Sequence, residues 1–593
     1  MPTWQQLRDV KLNEYTDAAD GWGKVSSRSN ADKDRVDNGM FAKIHDTQKG
    51  ETATRAAEDV RQLSRNYQYL HTECGLIRTA LNGLASELAA PQKKLKQALE
   101  DAENLKFTVK PDGSVEYPMK SAVLAPGTNT AQHGAPVPYA PGAAEGIGSA
   151  DANKGKAEDI AQRIGDAVRE AAEIDSRYAA VLRKLKAPPG LTVDDAALAD
   201  AAADTKALQD AAGKYADDAA IPHGKSPKEN ADWWNGLTQE QRDEYATLYP
   251  ASIGALDGLP SPVRDDANRM VLAETRAQIQ TELNKPAPNQ YIPNPNGTYP
   301  AVVLSPEYKQ WQKDQERLKD QLKGINSIQA RFDATGKEGL PEAYLLGYDN
   351  DGIGRAIIAN GNPDAADHTA VYVPGTTTNL KDFDGNISRM TNLWMETQAQ
   401  APGSNVSTIT WFGYEAPQSI APDAMQKSWA HNGSPILLQF MDGLETVQGG
   451  ADKSHTTVVG HSYGSTVVGD ASNRGDLAAD DIVAVGSPGM LTGRAEDLDV
   501  GKDHVWSEAA WNDVVPAGGK VAGLGGQTWG VQTWNGIPYS AGFVQTVPSD
   551  ELFGAHRMNV DTSGHSDYWT PDSESLKNQA KVVVGEYDKV NED

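Results

Sequence analysis

The run TTVVGHSYGSTVVG, Thr456 to Gly469, changes character in its middle. β-Branched residues lead up to Gly460, a single serine, Ser462, sits between two glycines, and small residues compatible with a helix follow. The change predicts a buried strand that turns abruptly into a helix, with Ser462 at the corner. Gly460-His461-Ser462-Tyr463-Gly464 fits G-x-S-x-G, whose flanking glycines permit the close backbone approach that a strained strand-to-helix turn demands. Such a turn lifts the hydroxyl out of the sheet, where a base can reach it. It also aims the Tyr463 amide, at the helix start, toward a developing oxyanion. Five letters are short enough to recur by accident. The strand before them and the small residues of STVVGDASNRG after them give the match its weight.

The neighbouring runs predict what that strand belongs to. After Gly336, EAYLLGYD and GRAIIAN read as a hairpin joined at Asn350 to Gly352. HTAVYVPG, STITWFGYE, HTTVVGHS, DIVAVGSPG and HVWSEAAWND are apolar strands, several of them separated by helix-length segments. Hairpin first, then strand and helix in alternation, predicts an α/β fold: a mostly parallel sheet flanked by helices, with an antiparallel edge. Asp349-Asn350-Asp351-Gly352 has the opening of a calcium loop but lacks the later ligands and the terminal glutamate, so it reads as the hairpin turn.

A serine hydroxyl needs a base, and the base an orienting acid. The carboxyl edge of a parallel sheet is where loops converge to supply them. Asp513 follows a strand directly in VWSEAAWNDVVP; Asp497, Asp499 and Asp503 lie in the polar loop before it and are weaker candidates. His565, in a glycine-containing loop ahead of a terminal helix opened by Thr570 and Pro571, is the favoured base, with His556 as competitor. Upstream, VYVPGTTTNL puts Gly375 and Thr376 where a second oxyanion amide would come from, although a glycine turn with a capping threonine would look the same. Trp411, Phe412, Tyr414 and Trp569 would either line an acyl pocket or pack the sheet.

Upstream of Gly336 the chain reads as helical. From Val60, apolar residues fall at Leu63, Tyr67, Leu70, Cys74, Ile77, Leu81, Leu84 and Leu88, in alternating steps of three and four. That is a helical seam seeking a partner. Tyr15, Ala18, Trp22 and Val25 keep the spacing, which predicts a hairpin or bundle over residues 1–105, kinked or interrupted at Pro91. Residues 106–153 read as a small hairpin turning at Pro111 to Gly113, then a Pro/Gly-rich linker. Residues 154–336 are again helical, with starts at Ser226-Pro227, Thr238, Ser261-Pro262 and Ser305-Pro306 and a proline-rich linker or arm near 285–300. The last of these helices carries Trp311, Leu318, Leu322, Ile325 and Phe332 on one side. Residues 337–593 hold the sheet.

With 593 residues the chain is too long for one core and predicts roughly two to four domains. Asp and Glu number 82 against 55 Lys and Arg, a formal charge of −27, which repels phosphate backbones; nucleic-acid binding is not expected. No run approaches the roughly 20 apolar residues of a membrane span, and MPTWQQLRDVKLNEY is not a general secretory signal. The lone Cys74 can form no intramolecular disulfide and reads as core. No H-E-x-x-H, Walker loop or dinucleotide fingerprint appears, so no metal, nucleotide or other cofactor is expected.

Taken in order, VYVPGTTTN, TWFGYEAP, TVVGHSYGS, VGSPG, WNDVVP and GHSDYW make residues 340–593 resemble the α/β-hydrolase superfamily. More narrowly, the series is similar to its actinobacterial branch long filed as a domain of unknown function, and the likeness extends to Trp233–Arg269, a segment that commonly precedes the core there. The resemblance implies Ser462, Asp513 and His565 as a catalytic triad in a bacterial, lipase- or esterase-like hydrolase acting on a small-molecule ester or acyl substrate. Thr376 and Tyr463 would supply the oxyanion hole. The alternative is an inert hydrolase-fold scaffold that docks a helical protein partner, or itself, through the helical half. The first hundred residues are similar in style to helical hairpins exported by type VII secretion, departing from them where Gly23 follows Trp22 at once and where Tyr69 and Glu73 lie inside a helix. The chain is accordingly expected in the cytoplasm or exported by a type VII-like route.

Overall fold

The apolar strand runs after residue 340 assemble into one sheet. Its strands are β1 (Ala343–Asp349), β2 (Arg355–Asn360), β3 (His368–Val373), β4 (Val406–Phe412), β5 (His455–His461), β6 (Asp481–Val485), β7 (Val505–Glu508) and β8 (His556–Arg557). They lie in the order β8-β7-β6-β5-β3-β4-β2-β1. β2 runs antiparallel to both β1 and β4, and every other pair is parallel. The structure is a computed structural model and describes residues 2–118, 128–131, 152–185, 190–213, 215–296, 299–300, 302–534 and 537–593.

Side chains alternate across the strands, so one strand feeds two cores. Ala370 and Tyr372 of β3 pack with Val459, Val483, Leu393, Leu576 and Val583 under the helices Asp384–Gln400 and Glu574–Val583. Val371 and Val373 face the other way, into a cluster with Leu272, Ile325, Leu437 and Val467 from four further helices. Burial on both faces explains why Ile482-Val483-Ala484-Val485 of β6 is continuously apolar; β4 carries Ser407, Thr408 and Thr410 among its apolar residues, and every residue of both strands is buried. This is an α/β-hydrolase sheet, mostly parallel and flanked by helices, preceded in the chain by a large helical region. An antiparallel ribbon outside the sheet, Gly526–Trp534 with Ile537–Thr546, was not anticipated from the sequence.

The chain divides into two compact units. One comprises Met1–Ala31, Tyr67–Thr192 and Asp200–Ala220; the other comprises Asp32–Asn66, Val193–Ala199 and Ile221–Asp593 and holds the sheet. In the first, Cys74, Leu84 and Leu88 of the seam are buried, whereas Tyr67, Leu70, Ile77 and Leu81 are only half-buried, and the helix continues through Pro91 to Asn104 without interruption. Leu88, Leu95 and Ala98 are buried on either side of the proline, and tertiary packing of this kind outweighs one missing hydrogen bond. The upstream stripe is a correction: Trp22 and Val25 are exposed, and Ala19, Gly23, Ser26 and Ser29 face inward instead. Small residues let the partner come close, since a Cβ on Gly23 would stand 2.9 Å from Arg78 Cδ. Thr108–Val109 and Val115–Pro118 form the expected hairpin, extended by Thr128–Ala131; most of the linker that follows lies outside the described residues.

Helix starts follow the capping chemistry with two exceptions. Ser226 and Thr238 form capping boxes with Glu229 and Gln241, and Ser305 caps the helix Pro306–Phe332. Ser261 does not cap: its amide and hydroxyl both donate to Asp364, a tertiary acceptor that competes with the local one. The terminal helix begins at Glu574 under Ser573, not at Thr570-Pro571, because Asp572 takes a φ of 64° and breaks the run. Among the described residues no helix is long and apolar enough to cross a membrane.

Candidate active site

β5 ends at His461 and a helix begins at Tyr463, leaving Ser462 to make the turn alone at φ 54°, ψ −132°. A side chain at positive φ is strained, and the surroundings hold it there. The Ser462 amide donates to Val485 O of β6 at 2.9 Å. A Cβ on Gly460 would stand 2.6 Å from Ser465 Cα, and one on Gly464 would stand 2.0 Å from Val373 O. Both glycines are therefore required for the helix to fold back against its own sheet. Ser462 is only 8% exposed, and its Oγ makes no hydrogen bond among the described residues.

The turn after β3 packs directly on the serine: a Cβ on Gly375 would lie 2.6 Å from Ser462 Cβ and 2.9 Å from Tyr463 N. Thr378 Oγ1 donates to Gly375 O at 2.7 Å and the Thr377 amide to Pro417 O at 2.7 Å, which fixes the loop carrying Thr376. Tyr463 is the first helical residue, where amides have no acceptor within the helix. Gly375 and the Tyr463 amide thus lie beside Ser462, and Thr376 follows Gly375 in the same turn.

Asp513 and His565 arrive from loops after β7 and β8. His565 Nδ1 donates to Asp513 Oδ2 at 2.8 Å, and the Gly564 amide donates to Asn512 Oδ1 at 2.6 Å, joining the two loops. The Asp513 side chain is fully buried. Burial pushes its carboxyl up, but hydrogen bonds from His565, the Val515 amide and Tyr568 outweigh that and hold it below the usual carboxylate range. No hydrogen bond joins Ser462 Oγ to His565, and apo sites commonly close this contact only with substrate bound.

The competing residues are occupied elsewhere. His556 sits on β8, its Nδ1 on Glu592 at 3.1 Å and its ring stacked on Trp506. Asp497 accepts from Thr492, Asp499 from Ser472 and the Leu477 amide, and Asp503 faces Lys502. Trp411, Phe412, Tyr414 and Trp569 are all buried: Trp411 stacks on Tyr414, and Tyr414 donates to Pro374 O at 2.8 Å. Among the described residues no group of three or more His, Cys, Asp or Glu is arranged to hold a metal ion.

Three contributors escaped the sequence reading. Gly486, at φ 55°, lies against both Asp513 and His565. Tyr568 donates to Asp513 Oδ2 at 2.7 Å. His461 packs 4.8 Å from the His565 ring and donates its Nε2 proton to His565 O at 2.8 Å. Burial, together with the Arg389 and His565 charges, drives the His461 imidazole well below its ordinary value, so it serves as a neutral donor. VGSPG and GHSDYW contain two of these residues, but nothing local says which side chains they face.

Residues 349–522 match a family described as alpha/beta hydrolase. The matched span includes Ser462 and Asp513 and ends before His565. The uncharacterized protein Rv2079 of Mycobacterium tuberculosis is 29% identical over 407 residues, covering 63% of this chain and 58% of the relative. The chain thus spans less than two thirds of that relative's length. The uncharacterized protein Mb0988c of Mycobacterium bovis is 28% identical over 215 residues, 35% of this chain and 76% of the relative. No solved structure matches the chain at a significant level.

Proposed function

We propose that the chain is a metal-independent serine hydrolase of carboxylic esters, working through an acyl-enzyme. The observation that carries this is the hydrogen bond between His565 and the buried Asp513 carboxylate, 2.8 Å long, at the sheet edge where Ser462 makes its strained turn. In this reading His565 Nε2 takes the Ser462 proton as Oγ attacks the ester carbonyl, and the amides of Thr376 and Tyr463 receive the negative charge on oxygen. Collapse of the tetrahedral intermediate breaks the ester bond, and His565 returns the proton to the departing alcohol. Water then attacks the acyl-serine with His565 again as base, releasing the acid. Asp513 remains ionised throughout and holds the imidazole with Nε2 unprotonated. Preference for esters over amides rests on the resemblance to lipase- and esterase-like hydrolases.

The test is labelling with a fluorophosphonate, followed by turnover of a panel of p-nitrophenyl esters. The expected result is stoichiometric labelling at Ser462, with labelling and turnover both abolished in Ser462→Ala at unchanged fold. Loss of a triad nucleophile costs about 10⁶-fold in turnover. Labelling that persists in Ser462→Ala rejects the assignment.

A further inference from the structure

Asp513 is gripped at three points. The Val515 amide holds Oδ1 at 2.9 Å, while Oδ2 accepts from both His565 Nδ1 and the Tyr568 hydroxyl. The two Oδ2 donors are unequal in rigidity. The His565 side chain is 30% exposed on its loop, whereas Tyr568 is fully buried and packs edge-on against His461 and Trp569. The Tyr568 oxygen also accepts the Ala510 amide at 3.0 Å, and Ala510 O accepts the Asp513 amide at 3.0 Å. Tyr568 therefore ties the root of the loop, Ala510, to the carboxylate at its tip. Burial, with Asp513 beside it, pushes the phenol far up, so its oxygen keeps the proton it donates.

We infer that Tyr568 is a positioning residue for the proposed triad, holding Asp513 Oδ2 where only the Nδ1–H tautomer of His565 can pair with it. The inference rests on the triad reading above. A carboxylate fixed by the Val515 amide alone can still rotate about its bond to that anchor, and the imidazole would follow it. With Tyr568 in place both oxygens are anchored by donors other than His565. The hydroxyl also takes up part of the carboxylate's charge, which tempers its pull on the imidazole proton.

The experiment compares the full-length protein with Tyr568→Phe, following the rate of fluorophosphonate labelling at saturating and sub-saturating probe across acid to neutral pH. Melting temperature and final labelling stoichiometry separate loss of fold from loss of function, because the variant also leaves the Ala510 amide without its acceptor. The expected result, per labelled site, is a saturating rate about 10- to 100-fold lower with little change in half-saturating probe concentration. The acid limb of the profile should move to higher pH, since Asp513 without this donor attracts the imidazole proton more strongly. The downfield proton resonance of His565 Nδ1–H should shift as well. A folded, fully labelled variant with unaltered rate, pH limb and resonance overturns the inference while the triad reading stands. Absence of Ser462 labelling in the unaltered protein overturns the triad reading, and this inference falls with it.

Discussion

Gly486 stands so close to Asp513 that a Cβ built on it would lie 2.8 Å from Asp513 Oδ2, and 3.0 Å from His565 Nδ1. The backbone is also left-handed there, at φ 55°. Gly486→Ala is therefore expected to push the pair apart and to add backbone strain of roughly 1–2 kcal/mol. A displacement of about 1 Å in such a constellation costs about 10²-fold in rate. Labelling kinetics and a melting curve check this; near-normal labelling in the folded variant would show that the pair does not act on Ser462.

Asp513→Asn should preserve the fold yet slow ester turnover by roughly 10⁴-fold, because the amide can favour the wrong imidazole tautomer. His565→Ala should be at least as damaging. His556→Ala should change little, as its ring is engaged with Glu592 and Trp506. In the unaltered protein, activity should fall toward acid pH, since a protonated imidazole cannot accept the serine proton. Steady-state kinetics of the three variants on one p-nitrophenyl ester separate these outcomes, and normal turnover in Asp513→Asn and His565→Ala together would reject the triad.

Glu508 ends β7 wholly buried, its Oε2 accepting from Ser575 at 2.7 Å and Gln579 at 2.8 Å while Oε1 has no partner. Burial drives this carboxyl far above its ordinary value despite both hydrogen bonds. The folded state thus binds a proton that the unfolded chain releases above about pH 4.3, so stability falls as pH rises from there toward the folded value. Glu508→Gln keeps the shape and removes the titration. Its stability relative to the unaltered protein should grow from mildly acid to neutral pH. Denaturant melts at two pH values measure this, and a constant difference would contradict it.

The sheet was legible in the sequence because burial on both faces writes itself locally, as short runs of apolar and β-branched residues such as TITWF in β4 and IVAV in β6. The turn at Ser462 was legible for a similar reason: its two glycines meet Ser465 and Val373, contacts imposed by the strand-to-helix geometry itself. Capping at Ser226 and Thr238 is likewise settled within four residues. Where a partner lies far along the chain, local chemistry did not suffice. Ser261 had the pattern of a cap and gave its hydroxyl to Asp364, and Trp22 and Val25 had the spacing of a seam while Gly23 took the contact with Arg78. That Asp513 meets His565, while Asp499 and His556 bond elsewhere, depends on loops after β7 and β8 lying side by side. Tyr568 and Gly486 acquire meaning in the same way, because a hydrogen bond or a close contact across 55 or 27 residues leaves no periodic trace in the sequence that encodes it.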